Sequence, residues 1–370
     1  MKFLINREEI LSPLQQIVGV IERRQTMPIL ANVLIVVEDN TLVLTGTDLE
    51  IQIIAKIPLK SSATSGAITV PAKKLLDICR LLTAGSEIKF EVQQNKVKIL
   101  ANRSRFSLSS LPAQNYPEFA ESQYEHEFEI NAGTFKKGLD KTIFCMANQD
   151  VRYYLNGTFL NISNDLIKLV ASDGHRLAVF EDHTYSPTGV EARIILPRKG
   201  VIELNRILDD PEQVLQIKFS SNHIQVTYSD DLRVLIFSAK LVDSKYPDFN
   251  KVFNQEFLEP IVIQKQLLKE ALTRVAVLAN EKYKGITLDI DNSLKISTHN
   301  PEHEEAEEEL SIEYSGSALS ISFNVQYILD AIANIDTEQA VLNIAQNLSS
   351  CIIVEPGQSA YKFIVMPMKL

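Results

Sequence analysis

The chain has 370 residues, 45% of them hydrophobic, and a formal net charge of -10. That apolar content argues against a disordered protein, the length suits two or three domains, and the acidic balance on its own counts against nucleic acid as a partner. No stretch approaches the ~20 apolar residues of a membrane span, and the first four residues lack the hydrophobic run of a signal peptide, so we expect a cytoplasmic protein.

A short strand followed by a helix opens each of three similar segments. The strands are predicted at residues 3–6, 128–131 and 261–264, and the helices at 7–19, 133–145 and 265–279. The same pattern occurs a second time in each segment, with strands at 68–71, 194–197 and 321–324 and helices at 72–82, 198–208 and 325–335. The pattern therefore predicts six helices and three copies of one unit.

Short runs rich in Val, Ile, Leu and Thr separate these elements and end in polar turns. Such runs are typical of antiparallel strands, so we predict an α+β fold in which antiparallel sheets back paired helices. The copies are offset by about 125 to 130 residues, a length that fits one compact domain. We expect the domains at residues 1–124, 125–253 and 254–370.

The cysteines and histidines favour structural roles. Three solitary cysteines are present, at Cys79, Cys145 and Cys351. We predict buried, reduced thiols and no disulfide or thiolate metal cluster. His299 and His303 lie four residues apart beside glutamates, but Pro301 interrupts any helix that would bring their rings together. We therefore expect no metal and no cofactor.

Cations recur at equivalent positions of the second helix in the first two copies. Aligning these copies places Lys73 over Lys199. Seven residues later it places Arg80 over Arg206, on the same helical face. These faces are either simply solvated or directed at a shared partner, and recurrence at equivalent sites weighs against mere solvation.

The first helix repeats part of this arrangement. Lys141 of the second copy aligns with Arg274 of the third, and Lys137 lies one turn before Lys141 on the same side. The helix predicted at residues 325–335 carries no cation, so a basic lining would be uneven. Acidic residues accumulate elsewhere, most densely at residues 302–309.

An acid lies close to a histidine at Asp173 and His175, which raises the alternative of a hydrolase. Repeat equivalents of this segment are Thr47-Asp48 and His299-Asn300, so the segment is first of all a turn. No third group completes a relay and no nucleophile stands nearby in the sequence. We therefore expect a binding protein rather than an enzyme.

Five stretches resemble the beta subunit of bacterial DNA polymerase III, the replication sliding clamp family. They are residues 45–50 (TGTDLE), 150–157 (DVRYYLNG), 173–179 (DGHRLAV), 197–204 (PRKGVIEL) and 365–370 (VMPMKL). The resemblance covers the whole chain in order. It implies a homodimeric ring of six domains, helices inside and sheets outside, that encircles duplex DNA without sequence specificity and tethers the polymerase.

Simple geometry also argues for two chains. At ~9 to 10 Å spacing, six helices enclose a hole of only ~8 Å, whereas twelve enclose one of ~26 Å, which accommodates duplex DNA and a layer of water. In the family, the positions that match the following residues form the dimer contact: Lys74, Arg103, Arg105, Phe106, Leu108, Val277, Leu278, Glu305 and Glu308. We expect residues 103–108 to lie in an edge strand of the first copy. The alternative for the glutamates is a solvated face.

The resemblance extends the predicted DNA contacts beyond the helices. To Lys73, Arg80, Lys137, Lys141, Lys199 and Arg206 it adds a set of loop residues: Arg24, Gln149, Arg152, Tyr153 and Tyr154. Lysine and arginine facing phosphates through water would attract the backbone without reading bases. For the two tyrosines the alternative is ordinary packing.

A second site would bind proteins. The family's cleft for short linear motifs matches Leu155, Ser172, Gly174, His175, Arg176, Leu177, Pro247, Val252, Ser350, Ile364, Val365, Met366, Pro367 and Met368. Two methionines in a free tail would form an adaptable wall, the alternative being a tail packed in the core.

The partners implied for this cleft are the DNA polymerase III alpha subunit, the clamp loader, and other polymerases and repair proteins, with no membrane partner. Lys251 and Lys369 stand where the family often has arginine, which affects motif preference. The sequence contains no Walker-type phosphate loop, so opening of the ring must use an outside source of ATP energy.

Overall fold

The computed structural model describes residues 1–21, 27–119, 123–163, 166–183, 190–357 and 360–369. Within them the six predicted helices are confirmed, with small shifts at their ends. They are α1 (Arg7–Val20), α2 (Ala72–Leu81), α3 (Ala132–Thr142), α4 (Arg198–Ile207), α5 (Lys265–Val275) and α6 (Val325–Ala333). The predicted extensions of α3 and α5 are short 3-10 turns at Ile143–Cys145 and Ala276–Leu278.

Strands make up most of the remaining regular structure. In chain order they are β1 (Lys2–Asn6), β2 (Asn32–Glu38), β3 (Thr41–Thr47), β4 (Ile51–Pro58), β5 (Gly66–Pro71), β6 (Glu87–Gln93), β7 (Lys96–Ala101), β8 (Ser104–Ser109), β9 (His126–Asn131), β10 (Gly157–Ser163), β11 (Leu166–Ser172), β12 (Arg176–Asp182), β13 (Ala192–Pro197), β14 (Val214–Phe219), β15 (His223–Ser229), β16 (Val234–Lys240), β17 (Ile261–Gln264), β18 (Gly285–Ile290), β19 (Ser293–His299), β20 (Glu305–Ser311), β21 (Leu319–Asn324), β22 (Gln339–Ile344), β23 (Cys351–Val354) and β24 (Tyr361–Val365).

These strands form four sheets whose described pairings are antiparallel. Two sheets have four strands, in the orders β1-β6-β7-β8 and β20-β19-β18-β21. Two have eight strands, in the orders β5-β2-β3-β4-β16-β15-β14-β9 and β13-β10-β11-β12-β24-β23-β22-β17. The α+β fold class is therefore confirmed, with helices packed against antiparallel sheets.

Each eight-stranded sheet is continuous across two sequence copies. β4 of the first copy pairs with β16 of the second, with Ile53 opposite Phe237. β12 of the second pairs with β24 of the third, with Leu177 opposite Ile364. The described chain consequently forms two compact units, one built mainly from residues 1–136 and 196–243, the other from residues 137–183 and 244–369. The three predicted domain limits mark the sequence copies and stay predictions.

Helices α1, α2, α4, α5 and α6 each bury a stripe of mainly apolar side chains. On α2 the buried positions are Ala72, Leu75, Leu76 and Cys79, spaced as one face of a helix. Each fully buried leucine contributes about 1.5 to 3 kcal/mol relative to an exposed one. In the first unit α1 packs against α2, and in the second α5 packs against α6. On α2 the opposite, polar face stays exposed.

All three cysteines are free and buried, as predicted. Burial raises the pKa of the Cys79 thiol to about 12, and that of Cys351 likewise to about 12. Thiols in this state are poor nucleophiles, because the thiolate is the reactive form. Among the described helices, none is long and apolar enough to cross a membrane.

Candidate nucleic-acid and partner-binding sites

The polar face of α2 presents exposed cations. Lys73, Lys74 and Arg80 all lie outside the buried stripe and are exposed. Lys73 and Arg80 are seven residues apart and therefore point to the same side of the helix. This face matches the prediction of a basic surface made by the second helix of the first copy.

On α4 the equivalent cations are already engaged within the chain. Lys199 Nζ donates to the Val20 carbonyl oxygen at 3.0 Å and forms an ion pair with the Asp48 carboxylate. Arg206 pairs with Glu203 on its own helix at 2.6 Å. Both side chains are still about one third exposed. A phosphate would therefore meet partly neutralised charges here, in contrast to α2.

Lys141 of α3 is buried rather than directed to solvent. Its side chain is 8% exposed, and Nζ donates to the Asn334 carbonyl oxygen at 2.6 Å and to the Asp336 carboxylate at 2.5 Å. The same ammonium lies 4.2 Å from the centre of the Tyr361 ring. Lys137 is exposed, with Nζ 3.7 Å from Asp336. A DNA contact by Lys141 would require this internal pair to break, whereas Lys137 is accessible.

The loop of residues 149–154 projects a tyrosine. Asp150 and Asn156 close its base by reciprocal bonds: the Asp150 N–H donates to Asn156 Oδ1 at 2.9 Å and Asn156 Nδ2 donates to the Asp150 carbonyl at 2.8 Å. Gln149 adopts a left-handed conformation with φ of 58°. Tyr153 is 74% exposed. A closed base with an exposed aromatic tip suits contact with an external ligand.

The neighbouring Tyr154 packs instead of projecting. Its ring lies 6.3 Å from that of Tyr246 in an edge arrangement, and Tyr246 stacks on Phe159 at 4.8 Å. The predicted alternative of ordinary packing therefore describes Tyr154 better than Tyr153. Arg24, the remaining predicted loop residue, lies outside the described residues.

Arg152 ties this loop to a second functional segment. Its Nε and one terminal nitrogen donate to the Asp150 carboxylate at 3.0 and 2.8 Å. The same terminal nitrogen donates to the Asp173 carbonyl oxygen at 3.3 Å. Hydrogen bonds from Arg152 lower the pKa of Asp150 to about 2. The carboxylate is thus charged across the physiological range and holds the guanidinium in place.

The segment after β11 is a turn built on its own side chains. Ser172 Oγ donates to the Arg176 carbonyl at 2.7 Å and accepts from the Gly174 N–H at 3.0 Å. The N–H groups of His175 and Arg176 both donate to Asp173 Oδ1, at 2.9 and 3.0 Å. Gly174 has φ of 88°, a conformation that favours glycine. The turn prediction is confirmed, and the Asp173 carboxylate is used to build it.

The first copy contains the same turn, but a different cation pairs with its aspartate. Thr47 Oγ1 donates to the Ile51 carbonyl at 2.7 Å, and the Ile51 N–H donates to Asp48 Oδ1 at 2.7 Å. There Lys199 takes the second carboxylate oxygen of the aspartate. In the second copy Arg176 Nε, from the turn itself, takes that place at 2.9 Å. The second turn is therefore not bridged to a neighbouring helix by a lysine.

An aromatic wall from α6 stands beside this turn, and the sequence reasoning missed it. Tyr327 lies with its ring 4.5 Å from the Arg176 guanidinium carbon and 6.3 Å from the His175 ring. Arg176 also pairs with Asp330 of the same helix at 2.5 Å. In the aligned helix α4 the equivalent of Tyr327 is Gly200. An aromatic residue at a position that holds glycine in the second copy is the sequence feature that could have indicated this wall.

The C-terminal segment is bound into the sheet, so the expectation of a free tail was wrong. Ile364 and Val365 belong to β24 and are buried against β12. Beyond the strand, the Met366 N–H donates to the His175 carbonyl at 2.9 Å. The Met368 N–H donates to a carbonyl of β21 at 2.8 Å. Backbone hydrogen bonds fix the path of the tail, while the Met366 side chain stays exposed.

The other predicted cleft residues differ in exposure. Leu155, Ser172, Leu177 and Ser350 are buried, Val252 and Pro367 are partly exposed, and Pro247 is exposed. Gln255 joins two of them, because its Nε2 donates to the Val252 carbonyl at 2.7 Å and to Ser350 Oγ at 3.3 Å. Within one unit the turn contacts the tail through the Met366 N–H and α6 through Tyr327.

Five of the predicted dimer residues lie on strands at the edges of sheets: Arg105, Phe106 and Leu108 on β8, and Glu305 and Glu308 on β20. β8 ends one four-stranded sheet and β20 ends the other, so the expected edge strand in the first copy is confirmed. Exposed arginines mark the first edge, at Arg105 and in the preceding turn at Arg103. Glutamates mark the second, at Glu305 and Glu308, the latter paired with Arg274 of α5 at 2.6 Å. Unpaired N–H and C=O groups along such edges are templates for another strand.

Apolar residues accompany these edges. Phe106 of β8 is partly exposed and Leu108 is buried. In the 3-10 turn after α5, Val277 is exposed and Leu278 partly so. Exposed aliphatic groups beside a charged edge are typical of an interface core within a polar rim. Across the described part of the chain, no group of three or more His, Cys, Asp or Glu is arranged to hold a metal ion.

Family models match nearly the whole chain in three consecutive parts. The N-terminal domain of the DNA polymerase III beta subunit matches residues 1–120, its central domain residues 129–248, and its C-terminal domain residues 250–369. The beta sliding clamp of Pseudomonas putida is 43% identical over 371 residues, and that of Escherichia coli K12 is 42% identical over 374, with all of both chains covered in each case.

Solved structures match equally well. The DNA polymerase III subunit beta of Pseudomonas aeruginosa is 42% identical with a TM-score of 0.95, and each chain is covered completely. A sliding clamp from the same organism bound to griselimycin is 43% identical with a TM-score of 0.95 and complete coverage. The Caulobacter crescentus sliding clamp matches with a TM-score of 0.92 at 28% identity, again over both whole chains.

Proposed function

The chain belongs to the DNA polymerase III beta subunit family, and from this premise we propose which residues do the work of a sliding clamp. The protein is a replication processivity factor: clamps of this family encircle DNA and bind polymerase and other proteins. Because the family is not catalytic, the alternative of a hydrolase at Asp173 and His175 is wrong. We infer a cytoplasmic location, since the bacterial chromosome lies there.

Two chains would close the ring through their sheet edges. β8 of one chain adds to β20 of the other, so that each four-stranded sheet continues into its neighbour. Arg103 and Arg105 then face Glu305 and Glu308, and the apolar residues Phe106 and Leu108 meet Val277 and Leu278. The support is the complementary charge of two free edges. A two-fold axis makes the same contact twice and leaves no edge open.

Exposed helix cations would hold the duplex loosely. Lys73, Arg80 and Lys137 are accessible, while Lys199 and Arg206 contribute partly neutralised charge. Such contacts act through phosphate charge, so they permit sliding and weaken with salt. Persistence comes from the closed ring rather than from tight contact.

Encirclement is tested by comparing retention of the clamp on circular and on linear DNA. The clamp is loaded onto a nicked circular plasmid, isolated, and split into two samples, one of which is linearised. We expect retention on the circle at moderate salt and release from the linear form, because a ring can slide off an end. Equal retention on both forms would contradict encirclement.

The turn, the tail and α6 would form the cleft for short linear motifs. The observation that carries this proposal is the juxtaposition of Gly174, His175, Met366 and Tyr327 around one surface. The exposed Met366 and the partly exposed Tyr327 offer an adaptable apolar wall. We propose that motifs of the polymerase III alpha subunit, the clamp loader and other polymerases and repair proteins bind here, and that griselimycin does so as well.

Two variants test the cleft separately from the dimer. A chain ending at Val365 should lose binding of the alpha subunit, and Tyr327→Ala should weaken it while leaving the tail intact. Both should sediment as dimers. The cleft assignment is wrong if the truncated, dimeric protein binds the alpha subunit with unchanged affinity.

A further inference from the structure

A cavity of about 430 Å³ lies within the second unit, beside a residue assigned to the proposed cleft. One wall is the segment of residues 244–250, and another is formed by side chains of β10, β11 and β13. Tyr246 fixes the segment in place, because its ring is buried and stacks on Phe159 at 4.8 Å. Pro247, the next residue, lines the cavity and is also one of the cleft residues. The cavity therefore continues the surface of the cleft.

Three cations line this cavity. Arg193 of β13 and Lys245 are exposed, and among the described residues neither has an ion-pair partner. Lys168 of β11 is 16% exposed and pairs with Glu181 at 2.5 Å. One carboxylate also lines the cavity, that of Asp248, which accepts two hydrogen bonds from within its own segment at 3.0 Å. The lining thus carries an excess of positive charge, in a chain whose net charge is -10.

The first copy builds the same arrangement without these cations. Its residues 116–119 (YPEF) match residues 246–249 (YPDF) of the second copy, and the two tyrosines are equally buried. This segment also lies beside a cavity lined by strand residues. Aligned positions in the first copy hold neutral residues in place of the three cations: Val43 for Lys168, Ala67 for Arg193 and Asn115 for Lys245. The fold does not require charge at these positions, so the charge is available for a ligand.

Carboxylates suit these side chains. A guanidinium binds a carboxylate through two parallel hydrogen bonds, and an ammonium adds a point charge. An extended chain spans ~10 Å in three residues, so side chains a few positions from a motif in the cleft can pass Pro247 and enter the cavity. DNA phosphates carry charge of the same sign, but the shared residue Pro247 and the aromatic wall favour a peptide.

We propose that this cavity binds acidic side chains beside the linear motif of a partner protein, and that Arg193 and Lys245 select them. The inference rests on the proposed function of the cleft and adds a preference beyond the motif itself. A partner with carboxylates at this distance from its motif binds more tightly than one with neutral residues there, and the advantage decreases with salt.

The test compares pairs of fluorescein-labelled peptides on the free dimer. All carry the clamp-binding motif of the alpha subunit. One member of each pair is extended by Glu-Asp-Glu and the other by the isosteric Gln-Asn-Gln, at the N-terminal end in one pair and at the C-terminal end in the other. Two exposed ion pairs correspond to about a 3-fold to 10-fold change in affinity. We expect the acidic peptide of one pair to bind more tightly by that factor at low salt, and the ratio to decrease at high salt.

Variants assign the preference to the cavity. Arg193→Gln and Lys245→Gln should each reduce the ratio, and the double variant should bring it to about one while affinity for the neutral peptide stays at the wild-type value. Lys269→Gln is the matched control, because it removes the same charge from an exposed position of α5 that does not line the cavity. It should keep the wild-type ratio.

Four outcomes would overturn the proposal. Equal affinity of acidic and neutral peptides in both pairs would remove the preference and leave the cleft intact. A ratio that falls as far in Lys269→Gln as in the double variant would assign the effect to net charge. Faster release of the double variant from a nicked circular plasmid, with an unchanged peptide ratio, would assign the two cations to DNA. A wild-type dimer that binds none of the peptides would refute the cleft itself, which separates failure of the proposed function from failure of this step.

Discussion

Replacing Lys141 by methionine should destabilise the protein by about 2 kcal/mol while leaving DNA retention almost unchanged. Methionine keeps the length of the side chain and most of its contact with Tyr361 but removes the ammonium. Two hydrogen bonds are lost, to the Asn334 carbonyl at 2.6 Å and to Asp336 at 2.5 Å.

The magnitude follows from the exposure of the partners. Each hydrogen bond from a charged donor contributes about 1.5 to 3 kcal/mol when buried. The Asp336 side chain is 54% exposed, so water replaces most of what it loses, and the main cost is the Asn334 carbonyl left without its donor. Lys137→Met is the matched control: its ammonium lies 3.7 Å from the same carboxylate on the surface, so we expect less than about 0.5 kcal/mol.

The ion pair between Lys141 and Asp336 also makes the stability of the protein depend on pH in the acidic range. Burial raises the pKa of Asp336, but the hydrogen bond and charge of Lys141, the charge of Lys137 and the hydrogen bond with Tyr361 together outweigh it, and the pKa lies below its ordinary value of 3.8. A lowered folded-state pKa contributes stability that is present above 3.8 and lost as pH falls through the folded-state pKa. The Lys141→Met protein should lack this component of acid destabilisation.

Urea unfolding at neutral and acidic pH measures the loss of stability in the Lys141→Met protein. Release of loaded clamp from a nicked plasmid measures DNA retention. A Lys141→Met clamp that unfolds at the wild-type urea midpoint but leaves DNA several-fold faster would refute the reasoning, because it would make Lys141 a phosphate contact. The reverse result would establish it as an internal anchor between α3 and the segment after α6.

Three further predictions address the interface, the turn and the DNA face. Leu278→Asp should convert the dimer to monomer in sedimentation at low concentration; a dimer that persists would show that this part of the interface is misplaced. Gly174→Ala should lower the free energy of unfolding by about 1 kcal/mol, because alanine is strained at φ of 88° and its Cβ displaces Arg152, and a urea midpoint equal to wild type would contradict this. Lys73→Gln should shorten the lifetime of loaded clamp at moderate salt equally on any DNA sequence, and a sequence-dependent effect would argue for base contact.

The spacing of apolar residues and the residue types in the turns were sufficient to predict the local structure. All six helices lie where the spacing of apolar residues placed them, because an amphipathic stripe is encoded within about ten neighbouring residues. The turn at residues 172–176 follows from side chains that bond their own backbone. Burial of Cys79 and Cys145 likewise follows from the apolar helix faces on which the sequence places them.

Interactions between distant residues were decided only by the tertiary structure. Lys141 and Lys199 have the spacing of surface cations in their helices, yet they bind Asp336 and Asp48, which lie far away in the chain. The tail was expected to be free, yet β24 pairs with β12 across two sequence copies. Tyr327 reaches the turn in the same way. A helical or strand pattern fixes which face of an element is apolar, but the partner of a polar group depends on which elements the sheets bring together, and that is a property of the assembled fold.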